Sequence, residues 1–484
     1  MAASLQLAQA SCRDKKKNTH QPIRLRCEQP IETPHLVRRG VDGRFYPALA
    51  ESWVLSKDAR CWTFKLRAGL TFHDGAPLDA AAMRFSIERM QRPDIGATLG
   101  APAVWSQYLG GAVIEAPDVR TLTITTIEPT ADLLDLLCAG YALPPYLADA
   151  PGFAAKPVGS GAYRVESIAP GEEIRMRANP NWWNGAPANE CLIWRCVESS
   201  GERAAAVLAG TAQVATRLTP CDAAAIGPQS GTTRVDHIDP TAIIYLLNTK
   251  SGPFGDARVR RALNLVVDAQ TLVDDVLAGA GQPLSGFISS AHVGYDPSAP
   301  ANDVDLIEAR RLLSDAGFGD GLHLDVDCPT RLPDEAEALT AALADQLAKV
   351  GISITVHLVE DRTAYAEQVR AKQIHDMCLF DSSPMSTFRV LNEKIDARTR
   401  GAWWQGYHNR EIEALLDSSR VTIDPVEREA LHRQSFAILR QDPSWLTLYN
   451  HVRTVALAGE HSDWAMRADG VLDVTLLPKF DLSD

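Results

Sequence analysis

Apolar and polar residues alternate with period two over several short runs of the first half, as in half-buried strands. Trp62, Phe64 and Leu66 face one way and Thr63 and Lys65 the other. A turn at Gly75-Ala76-Pro77 follows, and Asp79 is placed to cap a helix running to about Met90. Thr121 to Thr125 alternates again. Gly161 to Val165 and Ile174 to Arg177 read as neighbouring strands, and Cys191 to Val197 as another. A helix from Glu202 to Ala209 ends at Gly210, a suitable left-handed cap. This half reads as a mixed sheet with intervening helices.

The second half alternates strand and helix more cleanly. Leu322, Leu324 and Val326 mark a strand. Asp334 to Val350 carries Ala336, Leu339, Leu343, Leu347 and Val350 near one helical face, and Gly351 stops it. Ile352, Ile354, Val356 and Leu358 make the next strand, Thr363 to Lys372 a helix, and Asp376 to Phe380 a third strand. Strands alternating with helices imply parallel βαβ units, whose ligands sit beyond the carboxyl ends of the strands. That rule singles out Asp381, Ser382 and Ser383. After a last helix, Pro425 to Arg440, the strand Trp445 to Tyr449 is expected to carry the chain back to the first half. Tyr245 to Asn248 is the expected outward crossing, which puts Tyr245 and Asn248 at a hinge beside the cleft.

The chain has 484 residues, more than one hydrophobic core accommodates, so two or more lobes are expected. A formal charge of -13 argues against nucleic acid as a partner, because phosphate binding needs a basic face. No apolar run reaches the roughly 18 residues of a membrane span. The nine cysteines are scattered without a C-x-x-C pair, which leaves zinc knuckles and thioredoxin-type motifs unsupported. Most are expected to be buried small apolar residues. Cys191 and Cys196 flank one strand and point to opposite faces, so a bond between them is disfavoured. There is no G-x-x-x-x-G-K-[ST], no H-E-x-x-H and no G-x-S-x-G, and the twelve histidines are dispersed. Neither cofactor, protein-held metal nor catalytic group is expected.

Several long motifs occur in order: Tyr46-Pro47-Ala48-Leu49-Ala50-Glu51-Ser52-Trp53, Trp62 to Arg67, Phe72-His73-Asp74-Gly75-Ala76-Pro77-Leu78, Pro157 to Tyr163, Asn179-Pro180-Asn181-Trp182-Trp183 and Asp256 to Asn264. Together they resemble the signature of the large solute-binding proteins that feed peptide-type ABC importers, the dipeptide, oligopeptide and nickel group. The resemblance covers about His35 to Tyr449. It implies a two-lobed, type II periplasmic binding protein-like α/β fold with an enlarged first lobe. The lobes are expected at residues 35–245 plus 452–484 and at residues 246–451. It further implies a monomer in the periplasm that closes on a small peptide and hands it to permease subunits served by a separate ATPase. A nickel chelate or another small amphoteric metabolite is the near alternative. A two-lobed α/β enzyme is the alternative of another class, and a non-functional product of a damaged gene a third.

Residues 1–34 depart from the family. Met1 to Ala10 has no positive charge, and Gln9-Ala10-Ser11-Cys12 only distantly resembles a lipoprotein cleavage box, with Gln9 where an apolar residue belongs. The charged run Arg13 to Lys17 follows. This segment is therefore read as foreign to the family's native start, through a misread start codon, a frameshift or a deletion.

The resemblance also marks Asp381. Peptide-binding relatives carry an aspartate there, in a W-x-x-D-Y-P-D-P-like segment, that pairs with the peptide's amino terminus. This chain reads Phe380-Asp381-Ser382-Ser383-Pro384-Met385, without the tryptophan and the second aspartate. Asp381 is thus read either as an amine partner or as a turn-forming carboxylate. Trp403, Trp404 and Tyr407, around Gly406, suit a cleft wall or a small cluster under a loop. Arg362 can grip a ligand carboxylate or stand exposed at a helix start.

Overall fold

The structure, a computed structural model, describes residues 4–9, 35–94, 101–153, 155–300, 304–331 and 333–480. The chain opens with β1 (Ser4–Gln9), β2 (Val37–Arg39), β3 (Phe45–Pro47), β4 (Ala50–Leu55), β5 (Cys61–Leu66), α1 (Ala80–Met90), α2 (Ala101–Leu109), β6 (Val113–Asp118), β7 (Thr121–Thr125) and α3 (Leu133–Leu137). It continues through β8 (Tyr163–Ala169), β9 (Glu173–Ala178), β10 (Cys191–Cys196), α4 (Ser200–Leu208), β11 (Val214–Leu218), α5 (Pro220–Ala223) and β12 (Thr232–Leu247). The rest comprises α6 (Ala257–Val266), α7 (Ala269–Leu277), β13 (Gly281–Pro283), α8 (Leu306–Asp315), β14 (Leu322–Pro329), α9 (Ala336–Ala348), β15 (Ile352–Val359) and α10 (Arg362–Arg370). Then come β16 (Met377–Ser382), α11 (Thr387–Lys394), α12 (Arg410–Val421), α13 (Pro425–Gln441) and β17 (Trp445–Ala458).

Local rules account for many of these boundaries. Asp79 caps α1 by accepting from the Ala82 N–H at 2.9 Å. On α9, Leu339, Leu343 and Leu347 are wholly buried, each contributing about 1.5–3 kcal/mol relative to exposure. Trp62, Phe64 and Leu66 of β5 are buried while the residues between them are half-exposed.

Three packed bodies result. An N-terminal unit has the antiparallel sheet β4-β5-β7-β6 and a core drawn from residues 36–142. A middle unit packs Met176, Leu192 and Val214 against Val455, Leu457 and Phe480. A C-terminal unit has its apolar residues between 242 and 449. There β14 pairs in parallel with both β15 and β16, as the strand-helix alternation requires. Within residues 1–34, read from the sequence as foreign to the family's native start, the described strand at 4–9, β1, lies between β10 and β11, parallel to both. Residues 1–3 and 10–34, including Cys12 and Cys27, lie outside the described residues.

One long sheet joins the middle and C-terminal units, in the order β15-β14-β16-β12-β17-β11-β1-β10-β9-β8. The strands that cross between them are β12, of 16 residues, and β17, of 14, far longer than the short segments expected from the sequence. Their antiparallel ladder is interrupted where Ile238 pairs with Val452 and Ala242 with Asn450. Asp239, Pro240 and Thr241 thus stand opposite His451 alone, a bulge that bends the strand. Asn450 Nδ2 donates to the Thr241 carbonyl across it at 2.9 Å. No disulfide joins any of the seven described cysteines to another; Cys328 and Cys378 are buried, Cys221 is exposed, and the other four are half-buried, against the expectation that most are buried.

Gly401 is where backbone meets backbone. A Cβ there would lie 2.4 Å from the Glu393 carbonyl oxygen and 2.7 Å from the Glu393 Cα, on α11. Gly401→Ala must push that helix away, so a loss of about 1–3 kcal/mol is expected in urea unfolding. An unchanged midpoint would contradict this packing.

Candidate functional site

The loop after β16 meets the N-terminal unit through charged groups buried on both sides. Asp132 and Asp135 stand at the start of α3 in an otherwise apolar run. Asp132 occupies the N-cap position yet makes no cap bond. Its carboxylate instead accepts a hydrogen bond from Ser386, the residue that caps α11. Asp135 is only 3% exposed and lies between two arginines. Arg39 of β2 bonds one oxygen, and Arg389 Nη1 of α11 the other at 2.8 Å. Arg389 Nε also donates to Glu393 at 3.0 Å, one helical turn on. The Tyr108 hydroxyl, from α2, donates to the same Glu393 oxygen at 3.1 Å and lies beside the Arg389 guanidinium. The Ala131 N–H donates to the Arg420 carbonyl at 3.1 Å.

A buried charge is tolerated only when its partners and hydrogen bonds are complete. Here they come from both units, so either side alone would leave charges unpaired. Burial, reinforced by the negative Glu393, pushes the Tyr108 hydroxyl well above its ordinary range. Burial also raises the Asp132 carboxyl; the positive Arg428 opposes this and the negative Asp135 adds to it. The loop itself is pinned by His292. A carbonyl only accepts, so His292 Nε2 carries the proton bonded to the Pro384 oxygen at 2.8 Å, and Nδ1 accepts from Ser289. Burial holds this imidazole neutral, with its pKa lowered to about 4.

The structure brings together four of the residues singled out in the sequence. Asp381 and Ser382 end β16, Ser383 is exposed in the loop, and Arg362 Nη2 approaches Asp381 at 3.6 Å. Arg362 opens α10 as expected but is buried rather than exposed. Tyr245, Asn248, Trp404 and Tyr407 lie elsewhere, while Trp403 reaches Phe380, the residue before Asp381. Tyr245 is inside the core, with its hydroxyl 2.8 Å from Thr340. Asn248 bonds the His375 carbonyl at 3.1 Å, just before β16 begins. Thr249 N–H donates to the Gln405 carbonyl at 3.0 Å, which ties the 403–407 segment to that same edge. This is roughly 17 Å from Ser382 along the strand. Trp403 packs on Phe380, Trp404 donates to the Tyr407 carbonyl, and Tyr407 bonds Asp442. These contacts hold the three aromatics in the 403–407 segment, with Trp403 against Phe380.

Asp132, Asp135, Arg389 and Glu393 were not singled out in the sequence. Their signal is charge set inside apolar runs, Asp132-Leu-Leu-Asp135 and Phe388-Arg389-Val-Leu-Asn-Glu393. Such residues need partners once buried, but the partners are about 250 positions away. Among the described residues no group of His, Cys, Asp and Glu is arranged to hold a metal, and no helix is long and apolar enough to cross a membrane.

Comparison with known proteins adds three findings. Residues 44–388 match the model of the bacterial extracellular solute-binding proteins, family 5. The glutathione-binding protein GsiB of Salmonella paratyphi A is 26% identical over 416 residues, spanning 83% of this chain and 79% of that protein. Among solved structures, the periplasmic binding protein DppA of Helicobacter pylori, in complex with the peptide STSA, superposes with a TM-score of 0.77 at 21% identity, covering 98% of this chain and 97% of that one. The binding protein AgaA of A. tumefacien R10, in complex with agropinic acid, gives 0.71 at 24% identity, covering 88% and 87%. The long sheet and its two crossing strands therefore belong to a two-lobed binding-protein architecture.

Two outcomes follow. Asp135→Asn leaves Arg39 and Arg389 without their shared charge, so amide exchange over residues 387–394 should accelerate at least about tenfold, the equivalent of about 1.4 kcal/mol. Unaltered protection would show that the two sides do not hold each other. For Asp132 the sign is set by its raised pKa. The buried carboxyl keeps a proton that an exposed one gives up, so its contribution is lost as pH rises from about 4 through the raised value. The melting temperature of Asp132→Asn minus that of the wild type should therefore grow from acid to neutral pH. A constant or shrinking difference would contradict it.

Proposed function

The chain belongs to the family 5 extracellular solute-binding proteins of bacteria, and we propose that the solute it carries is a small peptide or a peptide-like amphoteric molecule. Members of this family are periplasmic or extracellular and work with membrane permease and ATPase subunits of ABC importers. The relatives and structural neighbours are substrate-binding proteins, not enzymes. For this chain we place the action in the periplasm, as a monomer.

The observation that carries the reading is the bank of buried side chains of both signs where the loop after β16 faces α3. A molecule with an acidic and a basic end finds an opposite charge for each in such a cleft. Fixed charges in a closed, water-poor site bind ionic groups more strongly than exposed ones do. The relatives fit this chemistry: GsiB is a glutathione binder, and DppA was solved with a peptide.

Capture works by closure. The bulge at Asp239, Pro240 and Thr241 opposite His451 is the hinge in this reading, a few residues earlier on the outward strand than the 245/246 boundary expected from the sequence. The first lobe then comprises the N-terminal and middle units, and the second lobe the C-terminal unit. Residues of α3 and α11 come together as the lobes shut, and the solute shifts the population only by binding the closed form better.

A thermal-shift screen over dipeptides, longer peptides and metal chelates tests this. A ligand at about 100 times its dissociation constant adds about 2.7 kcal/mol of stability. A clear upward shift with a free peptide is expected. Silence toward every peptide, with a response to a nickel chelate, would overturn the peptide reading.

A further inference from the structure

The end of β16 holds more positive charge than the carboxylate beside it balances. The Arg362 side chain is 8% exposed, and its one ion pair is the 3.6 Å approach to Asp381. Its Nε and Nη1 are buried without any hydrogen-bond partner. The rings of Tyr365 and Phe380, 5.4 and 5.6 Å from the guanidinium carbon, hold the group in place but offer no acceptor in the plane of the fork. Lys394, the last residue of α11, is 4% exposed and feels the charges of Glu393 and Asp381. Glu393 is already engaged by Arg389 and Tyr108. Burial pulls the Lys394 ammonium below its ordinary range, against the opposing pull of Glu393 and Asp381. The hydroxyl of Ser382, also buried, has no partner either.

Arg362 is paired with Asp381, which is itself 32% exposed, and Lys394 is a second buried cation whose charge Asp381 favours. An ammonium brought to Asp381 would be a third positive charge and would compete with Arg362 for the same oxygens. A carboxylate would complete the set: its oxygens can accept from the Arg362 N–H groups that have no partner, and the buried Lys394 adds a second positive charge. We propose that Arg362 and Lys394, with the Ser382 hydroxyl, form a subsite for the anionic end of the solute. This end of the cleft then reads a guest's carboxylate, the reverse of the amine-reading role that the family resemblance assigns to Asp381. The inference rests on the cleft being the solute site.

Lys394→Met tests it first in the protein without added solute. The substitution keeps the side chain's length and removes a charge that the proposal leaves unbalanced. The melting temperature should therefore rise, by about 2 °C or more. A fall would overturn the proposal, because it would make Lys394 a structural partner of Asp381 and Glu393. That reading does not depend on any solute being found. Calorimetric titration with alanylalanine, its C-terminal amide and its N-acetyl form supplies the second test. The amide should bind at least 100-fold more weakly than the free dipeptide, and the N-acetyl form within tenfold of it. Loss on acetylation with the amide unaffected would overturn the proposal. If the wild type binds none of the three while Lys394→Met melts higher, the peptide reading fails and the anion subsite stands.

Discussion

The closed arrangement of this protein depends on one buried carboxylate. Asp135 is almost inaccessible, and its two oxygens are taken by arginines from opposite sides, Arg39 of the N-terminal unit and Arg389 of the C-terminal unit. Taking three charged groups out of water costs several kcal/mol per ion unless the geometry is complete. Completeness requires both units at once. In the proposed function the same groups in an open form would be hydrated at little cost, so the cluster would serve as a contact that can be made and unmade. An apolar seam of equal area would hold the units together more tightly and would leave nothing to exchange with a charged guest.

What positions that cluster is ordinary local chemistry. Ser386 caps α11 through its own hydroxyl oxygen while donating its proton to Asp132, so a helix start and a contact between units share one side chain. His292 fixes the preceding turn through Pro384, and Gly401 lets the chain pass close against the end of α11. Behind them the long strands β12 and β17 run through both halves of the sheet, so the two halves share a backbone ladder whose register shifts at 238/242 and again at 243/244. The core is divided on either side of that ladder, which allows rotation about it without breaking either core.

Much of this frame was legible in the sequence because it obeys local periodicity. The leucine stripe of α9, the alternation of β5 and the Asp79 cap each depend on residues within a few positions. The site was legible only in part. Asp381 to Ser383 follow from the rule about carboxyl ends of parallel strands, and the structure puts Arg362 beside them. Trp403, Trp404 and Tyr407 suited a cleft wall or a cluster under a loop, and where a loop lies on a sheet is decided by hydrogen bonds such as Thr249 to Gln405, which no local pattern encodes. The full length of β12 was hidden because its first half alternates polar residues and its second half is buried on both faces. Asp132 and Asp135 were passed over because their meaning lies in partners about 250 residues further along.

The central claim is that a solute is taken up between two lobes that shut on it and is released unaltered. Small-angle X-ray scattering of the wild-type protein, with and without a saturating solute, addresses it most directly. The account predicts that the radius of gyration falls on addition and returns to its starting value when the solute is dialysed away and recovered unchanged. A radius of gyration that stays the same while the solute is bound, or recovery of a chemically altered solute, would contradict it.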